Sequence, residues 1–422
     1  MALSRGILAL CACLLLTGCA KRYRFEQEPP RSHSEWPFHR GDLQGGAALS
    51  ESSYDGSLDV LWETGAKGKS AGPLTISNGI VAYPSSRDRI LFYRLSGGEY
   101  LGRFKVKGIP QTGFVTKDSL GFVGLGPDEN RVVCFDMKHR DELWRQSVKD
   151  AAGGTILIKD RLLVASTDGT LYALAAESGD ILWIFRDSLG MAAPPTADSD
   201  RVYQTIDDGY LVCLSAADGH EVFRTRLVGP IVSPAAIDSL IFVASQSGIL
   251  HAVRASTGQI AWRQSLDGGA WNSPAVASET VVCGHSGGKV EAFVAGVGDP
   301  LWRRDIGAVV KAGVTIVGDV VVVGTMSGEV ITLELATGRI IARRQLDGAI
   351  TQPPVTDGER IVVATRSGHL CCLGAYNGAT RSDNHLGDSR DRLQRAGSLS
   401  GSRTGSGHSQ GGHLRQRPPD VR

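Results

Sequence analysis

Two adjacent cysteines, Cys371 and Cys372, would have the most distinctive chemistry in this chain, since neighbouring thiols can be joined as a disulfide. Comparison of the chain with itself favours a simpler role. Cys372 lies at a repeated position that otherwise holds small side chains, namely Cys134, Ala173, Cys213, Ala252, Ala292 and Thr332. Cys371 would then lie on the opposite face of the same strand. We predict that both are packing residues. Because Cys134, Cys213 and Cys283 fall in separate repeats, we expect no disulfide framework.

Acidic and histidine residues give no sequence pattern for a metal or catalytic site. The groups Asp198-Ser-Asp200 and Asp207-Asp208-Gly209 could suggest Ca²⁺, but both fall at hairpin turns, where Asp is favoured for backbone reasons. The ten histidines show no paired metal spacing. No Ser–His–Asp arrangement and no phosphate-binding glycine loop can be argued. We therefore expect no metal and no catalytic residue.

Glycines recur through the chain at a fixed period. One series has spacings of 39 or 40 residues, at Gly179, Gly219, Gly258, Gly298, Gly338 and Gly378. A second series lies ten residues ahead, at Gly169, Gly209, Gly248, Gly288, Gly328 and Gly368. An aromatic residue follows four residues after the first series, at Trp183, Phe223, Trp262 and Trp302. A period near 40 with only strand signals predicts the blades of a β-propeller.

Each repeat predicts four strands joined by glycine turns, as in segments 155–158, 162–166, 171–174 and 181–183. First strands begin near Leu74, Phe114, Thr155, Thr196, Ala236, Val276, Val314 and Val355. The eighth repeat lacks an outer strand, and the segment from Leu58 to Glu63, with Trp62, is similar to one. Pairing the two would close the ring and cover a sheet edge. We predict an all-β, eight-bladed propeller over residues 58–380.

The two ends of the chain predict export and anchoring. Residues 1–18 read as a lipoprotein signal peptide, with Arg5 before an apolar run too short to span a bilayer. Leu16-Thr17-Gly18-Cys19 resembles a bacterial lipobox, which implies lipidation of Cys19. Ala20 in place of Asp implies, by resemblance to Gram-negative lipoproteins, the outer membrane, with the domain lipid-anchored on the periplasmic side.

Two further segments flank the predicted propeller. Residues 19–57 would form the lipidated end, a tether and a leading segment. Residues 381–422 are rich in Gly, Ser and Arg and predict a disordered tail, or a basic arm touching anionic lipid or peptidoglycan. The net charge of +1 gives no case for binding nucleic acid.

The repeat Gly-x-Leu-x-Ala-Leu, a Thr-Gly or Ser-Gly turn and then Trp resembles the PQQ-like repeat of quinoprotein-type propellers. Gly102 and Ala342 depart from it, because each stands where the Trp is expected. The segment Trp36-Pro-Phe-His-Arg-Gly-Asp42 is also similar to a leading segment in bacterial members. Among secreted lipoproteins with eight such blades, the resemblance is to the BamB family of outer-membrane assembly factors. It implies a monomeric, non-enzymatic scaffold for protein partners, with the β-barrel assembly machinery as the expected partner.

The segments that join each fourth strand to the next first strand would surround one mouth of the channel. One equivalent position holds Ser70, Gln111, Ala151, Ala192, Val232, Asn272, Lys311 and Thr351. With the preceding neighbours Lys69 and Trp271, the polar residues Ser70, Gln111, Asn272, Lys311 and Thr351 form a one-sided arc. Such an arc could hold a small anionic ligand or a peptide segment, so these residues are binding candidates. The simpler interpretation is a water-filled channel with incidental side chains.

Two other functions stay open. A quinone-dependent dehydrogenase would need PQQ with Ca²⁺, clustered carboxylates and an acid acting as base. The connectors offer one acid, Asp150, and the repeats are uniformly short. The chain could also be a propeller that binds a ligand or polysaccharide in the cell envelope.

Overall fold

The computed structural model describes residues 45–50, 52–126, 128–237 and 239–376. Cys19, the signal peptide, the tether up to residue 44 and the tail from residue 381 lie outside the described residues. Among the described residues, no helix has the length and apolarity needed to cross a membrane. The predictions for the two ends of the chain therefore stay predictions.

Strands follow one another as short antiparallel hairpins, because alternating residues face the core and glycines allow the tight turns. Two strands precede the first blade: β1 (Ala48–Leu49) and β2 (Asp59–Gly65). Blade one contains β3 (Thr75–Ser77), β4 (Ile80–Ser85), β5 (Arg89–Arg94) and β6 (Tyr100–Lys105). Blade two contains β7 (Val115–Lys117), β8 (Leu120–Gly124), β9 (Arg131–Asp136) and β10 (Glu142–Ser147). Blade three contains β11 (Gly154–Ile158), β12 (Arg161–Ala165), β13 (Thr170–Ala175) and β14 (Ile181–Arg186), after a short 3₁₀ helix at Ala151–Gly153.

The remaining blades repeat the same order from the inner to the outer strand. Blade four contains β15 (Thr196–Ala197), β16 (Arg201–Ile206), β17 (Tyr210–Ser215) and β18 (Glu221–Arg226). Blade five contains β19 (Ala235–Ile237), β20 (Leu240–Ala244), β21 (Ile249–Arg254) and β22 (Ile260–Ser265). Blade six contains β23 (Ala275–Ala277), β24 (Thr280–Gly284), β25 (Lys289–Val294) and β26 (Pro300–Asp305). Blade seven contains β27 (Val314–Val317), β28 (Val320–Gly324), β29 (Glu329–Glu334) and β30 (Ile340–Gln345), and blade eight contains β31 (Val355–Thr356), β32 (Arg360–Ala364) and β33 (His369–Gly374).

Blade eight is completed by the N-terminal strand. β2 pairs antiparallel with β33, with Trp62 opposite Cys372. The indole Nε1 of Trp62 donates to the carbonyl oxygen of Leu95 in blade one at 2.7 Å. The predicted eight-bladed propeller, closed by its N-terminal strand, is confirmed.

Blade seven differs from the predicted four strands because it has a fifth. β1 lies parallel to the inner strand β27, on the side that faces the channel. Ile316 and Gly318 donate backbone N–H groups to the carbonyls of Ala47 and Leu49, at 2.8 and 2.7 Å. Ala47 is fully buried. Residues 46–49 of the predicted leading segment therefore lie along the channel wall.

Tryptophans join neighbouring blades at the outer strands. Each indole donates to a backbone carbonyl just past the third strand of the next blade, as from Trp144 to Ala176, Trp183 to Ala216, Trp262 to Ala295 and Trp302 to Leu335.

The cysteines fill the core between these contacts. All five described cysteines are buried, and Cys134, Cys213, Cys371 and Cys372 are free thiols. Burial raises the pKa of the Cys371 thiol to about 12, so this thiol is unreactive at neutral pH. The predicted packing role of Cys371 and Cys372 is confirmed.

Candidate functional site

One end of the ring, here called the connector face, carries the segments between blades and the turns between second and third strands. Alternating strand direction within each blade puts both at the same end. The other end carries the turns between first and second strands and between third and fourth strands. Backbone hydrogen bonds hold the connectors against the turns, for example from Ser86 N–H to the carbonyl of Lys69 at 2.9 Å. The frame below the connector face is therefore rigid.

Trp271, Asn272 and Lys311 come together at the connectors of blades five to seven. The ammonium of Lys311 lies 5.2 Å from the centroid of the Trp271 ring. Trp271 is 47% exposed. The side-chain amide of Asn272 donates to the carbonyl of Ala312 at 3.0 Å, and its oxygen accepts from Ser273 N–H at 2.9 Å. A cation–π contact at an exposed site contributes about 0.5–1 kcal/mol, so the pair presents a large aromatic surface in one orientation.

The other predicted residues lie elsewhere around the mouth. Ser70 donates its hydroxyl to the carbonyl of Gly72 at 2.7 Å, and Gln111 donates its backbone N–H to Gly124 at 3.0 Å. Lys69 is exposed, and Thr351 is half-buried. Lys69, Ser70, Gln111 and Thr351 thus lie in other connectors than Trp271, Asn272 and Lys311.

A cavity of about 230 Å³ lies beside Trp271, between blades four, five and six. Its lining comes from three connectors and two turns: Ala192, Ala193, Pro194, Thr205, Ile206, Asp207, Ile231, Val232, Ser233, Gln246, Trp271 and Asn272. The hydroxyl of Thr205 is buried there without a hydrogen-bond partner. Sites for drug-sized ligands usually measure about 300–1,000 Å³. This cavity is better matched to a side chain or a short loop of a partner protein.

Sequence reasoning missed the turn residues of this cavity. It compared one connector position in each blade, which identifies Ala192, Val232 and Asn272. Asp207 and Gln246 come instead from turns between second and third strands. Their repeat positions are ordinary turn positions, so only the fold reveals that they border the same cavity.

A buried ionic cluster fixes the connector that carries Trp271. The carboxylate of Glu291 accepts from His285 Nε2 at 2.9 Å, from Arg303 Nε at 3.1 Å and from the backbone N–H of Asp267 at 3.1 Å. Burial works against the charge on Glu291, but the hydrogen bonds and Arg303 outweigh it, so the pKa of Glu291 lies below its ordinary value. The connector from Asp267 onward is therefore held by a charged side chain from within blade six.

The residues at the channel do not fit a quinone held with Ca²⁺. Asp150 accepts the hydroxyl of Thr167 on its carboxylate, and its backbone N–H donates to Asn130 at 2.8 Å. In the part of the chain that the structure describes, no three His, Cys, Asp or Glu residues are placed to hold a metal ion. β1 also lies on the channel side of β27. A cofactor–Ca²⁺ pair needs several oxygen ligands together, whereas Asp150 offers a single carboxylate, whose Oδ2 accepts from Thr167 and whose Oδ1 is buried without a hydrogen-bond partner.

Comparison with known proteins now identifies the family. A family model described as outer membrane protein assembly factor BamB matches residues 59–196, 231–305 and 286–384. The chain belongs to the BamB family. BamB from Yersinia pestis is 24% identical over 240 residues, which cover 51% of this chain and 58% of that protein. The chain thus matches little more than half the length of this curated relative.

Solved structures share the propeller fold at low sequence identity. BamB from Moraxella catarrhalis has a TM-score of 0.66 at 19% identity, covering 75% of this chain and 100% of the other. Quinohemoprotein alcohol dehydrogenase from Comamonas testosteroni has a TM-score of 0.69 at 12% identity, covering 81% of this chain and 80% of the other. Because a BamB and a dehydrogenase have similar TM-scores against this chain, the structural similarity shows the fold alone.

Proposed function

We propose that this chain is a non-enzymatic scaffold, lipid-anchored through Cys19 to the outer membrane and facing the periplasm. In this proposal its connector face binds a protein partner of the β-barrel assembly machinery, and the propeller acts as a monomer without a cofactor. Membership of the BamB family supports the role in assembly.

The observation that carries the proposal is the exposed Trp271–Lys311 pair beside the cavity of blades four to six. Aromatic residues flanked by a cavity are typical anchor points of protein interfaces, because they bury much area at low entropic cost. The cavity offers apolar walls together with Asp207, Gln246 and the unpartnered hydroxyl of Thr205. A partner side chain entering it would find both apolar contact and hydrogen-bond partners.

The quinone-dependent dehydrogenase is the second candidate, favoured by the fold likeness to quinohemoprotein alcohol dehydrogenase. The donor set at the channel argues against it, because Asp150 is hydrogen-bonded to Thr167 and no three His, Cys, Asp or Glu residues in the described chain are placed to hold a metal ion. A propeller that binds a ligand or polysaccharide would use the same connector face. Such a propeller would capture a glycan rather than a protein, which distinguishes it from the scaffold.

Crosslinking in the native envelope, followed by mass spectrometry, tests the scaffold. The variant Trp271→Ala/Lys311→Ala should lose about 2 kcal/mol of binding, about 30-fold in capture, as expected for an interface anchor. The control variant is Tyr376→Ala/Lys138→Ala. Tyr376 is 56% exposed, and Lys138 is an exposed lysine; both lie at the other end of the ring.

The expected partner is an outer-membrane barrel-assembly protein, captured equally by the wild type and the control variant. Equal capture by the Trp271→Ala/Lys311→Ala variant would show that these residues are not part of the interface. Recovery of glycan fragments would support the ligand- or polysaccharide-binding propeller instead of the scaffold. Recovery of a bound quinone with no protein would support the dehydrogenase.

A further inference from the structure

Basic side chains are grouped on the connector face at blades eight, one and two. They are Lys69, Arg87, Lys105, Lys107 and Arg366, and this group is called the basic sector below. All five are exposed. Lys67 lies in the same connector, but its ammonium is 5.7 Å from the ring centroid of Tyr100 on the outer strand. It is therefore not counted in the sector.

Hydrogen bonds place the five residues next to one another. Ala66 N–H donates to the carbonyl of Gly368 at 2.7 Å, which joins the connector of Lys69 to the turn of Arg366. Ser85 donates its hydroxyl to the carbonyl of Lys67 at 2.7 Å, which joins the same connector to the turn of Arg87.

The lysines at the end of blade one continue the same row. Lys105 lies opposite Arg89 in the strand pair of β5 and β6. Val106 N–H donates to the carbonyl of Asp88 at 3.0 Å, so Lys107 follows directly. The sector is therefore one continuous surface whose backbone is fixed.

The charges of the basic sector are not neutralised within the described part of the chain. None of its five side chains forms a salt bridge there. Three exposed carboxylates border the sector without an ion pair to it, namely Asp88 in the turn of Arg87, Asp128 in the turn beside the connector of Lys107, and Asp347 in the connector beside the turn of Arg366. Glu63 at the end of β2 lies 2.8 Å from His369 Nδ1. The five cations outnumber these four carboxylates, so the sector keeps an excess of positive charge.

The opposite side of the mouth, at blades three and four, carries acidic side chains that are mostly paired with basic ones. Asp168 is 3.7 Å from Lys149, Asp187 is 2.9 Å from Arg224, and Asp208 is 3.4 Å from Arg226. Asp207 borders the cavity beside Trp271. The connector face is therefore electrostatically polar, with free positive charge on one side and a partly balanced acidic side on the other.

From this arrangement we infer that the basic sector is a docking surface for an acidic segment of a protein partner. The inference rests on the proposed function and adds the chemistry of the partner to it. Unpaired surface charge of one sign attracts an oppositely charged segment, speeds association and sets orientation. The Trp271 region and the basic sector would then contact two parts of one partner across the same face.

The segregation of charge favours a protein over a membrane as the occupant. An anionic bilayer is a flat surface of one sign. A connector face laid on it would bring Asp168, Asp187, Asp207 and Asp208 against like charge. A protein partner can present acidic and basic segments to the two sides separately, which satisfies the polarity of the face.

The test compares two double charge reversals with equal change in net charge. Lys69→Glu/Lys107→Glu alters the basic sector, and Lys138→Glu/Lys159→Glu alters exposed lysines at the other end of the ring. Full-length proteins are assayed for partner capture in the native envelope and for binding of a labelled poly-glutamate peptide. Thermal melting of both variants checks that each is folded.

We expect the sector variant to lose about tenfold in both assays, because two attractions to the acidic peptide become two repulsions. The loss should shrink as salt rises, since screening acts over about 8–10 Å at physiological ionic strength. The control variant should behave as the wild type. Crosslinks from the sector should map to an Asp- and Glu-rich segment of the captured protein.

The other outcomes overturn the inference in distinguishable ways. Unchanged capture and unchanged poly-glutamate binding by the folded sector variant would exclude the sector while leaving the scaffold function intact. Loss of binding only to vesicles of equal parts phosphatidylethanolamine and phosphatidylglycerol, with partner capture unchanged, would assign the sector to lipid. If the wild type captures no protein at all, the proposed function fails, whereas the peptide assay still decides whether the sector binds acidic polypeptide.

Discussion

At the scale of single residues, the glycine of each outer turn and the tryptophan of the preceding blade form one unit. A Cβ placed on Gly219 would lie 2.5 Å from Cε3 of Trp183, and one on Gly338 would lie 2.4 Å from Cε3 of Trp302. Both glycines also have positive φ, at 74° and 66°. The glycine period read from the sequence therefore reflects two demands, a left-handed turn and a close indole.

The two demands can be separated by a pair of glycine substitutions. Gly307 has φ of 75° and open space where a Cβ would lie. Gly307→Ala should cost about 1 kcal/mol from backbone strain alone. Gly219→Ala has the same strain and must also displace the Trp183 indole, which adds about 1–3 kcal/mol. Urea denaturation measures both, and equal losses would contradict the indole contact.

The two departures from the repeat are explained by what replaces the indole. At Gly102 the position of a Cβ is 2.8 Å from Nη2 of Arg140, which itself stands where other blades have the turn glycine. Between blades one and two, a glycine on the outer strand and an arginine at the turn thus take the places of the tryptophan and the glycine. At Ala342 the gap between blades seven and eight is filled by Tyr54 and Leu58 from the N-terminal segment. Sequence comparison located both departures but could not show the filling residues, which come from other parts of the chain.

At the scale of elements, periodic strands were predictable and β1 was not. Predicted first strands at Thr196, Val314 and Val355 begin at those residues in the structure. Ring closure followed from the likeness of the Trp62 segment to an outer strand. β1 consists of Ala48 and Leu49 alone, and its partner β27 lies more than 260 positions away in the chain, at Ile316 and Val317. A two-residue strand has no period, so nothing local marks it.

Hydrogen exchange tests whether β1 holds the channel side of blade seven. The N–H of Ile316 donates to Ala47 in the channel, whereas Ile76 at the same place in blade one has no such strand beside it in the described chain. Amide protection reflects local opening. Peptides covering Val314–Val317 should exchange more slowly than peptides covering Thr75–Ser77, as measured by mass spectrometry. Equal exchange of the two inner strands would mean that β1 does not stay in place in solution.

The candidate site was predictable in part for a geometric reason. Trp271 and Lys311 occupy connectors of successive blades, and the repeat alone puts those connectors side by side. The contact between them at 5.2 Å agrees with that placement. The cavity and the basic sector combine connectors with turns from residues such as Asp207, Gln246 and Arg87. Their meeting depends on how far each hairpin extends toward the mouth, which the sequence pattern does not specify.

At the scale of the whole molecule, the ring separates a rigid frame from a variable face. The blades bury their strands, and the indoles and β2 lock each blade to the next. Function in such a fold depends on the connectors and turns, because the frame can support many activities. The same frame accommodates a BamB and an alcohol dehydrogenase. A direct binding test must therefore decide between scaffold and enzyme.

The last prediction is that pyrroloquinoline quinone with Ca²⁺ leaves the melting temperature of this protein unchanged. A ligand at a hundredfold excess over its dissociation constant stabilises by about 2.7 kcal/mol, which raises the melting temperature by roughly 4 °C for a domain of this size. We expect no shift because no three His, Cys, Asp or Glu residues in the described chain are placed to hold a metal ion, because Asp150 is already hydrogen-bonded to Thr167, and because β1 lies along the channel wall. Thermal melting with and without the mixture measures the effect, and Ca²⁺ alone is the control. A clear shift that disappears in Asp150→Asn, together with alcohol-dependent dye reduction, would replace the scaffold by the dehydrogenase.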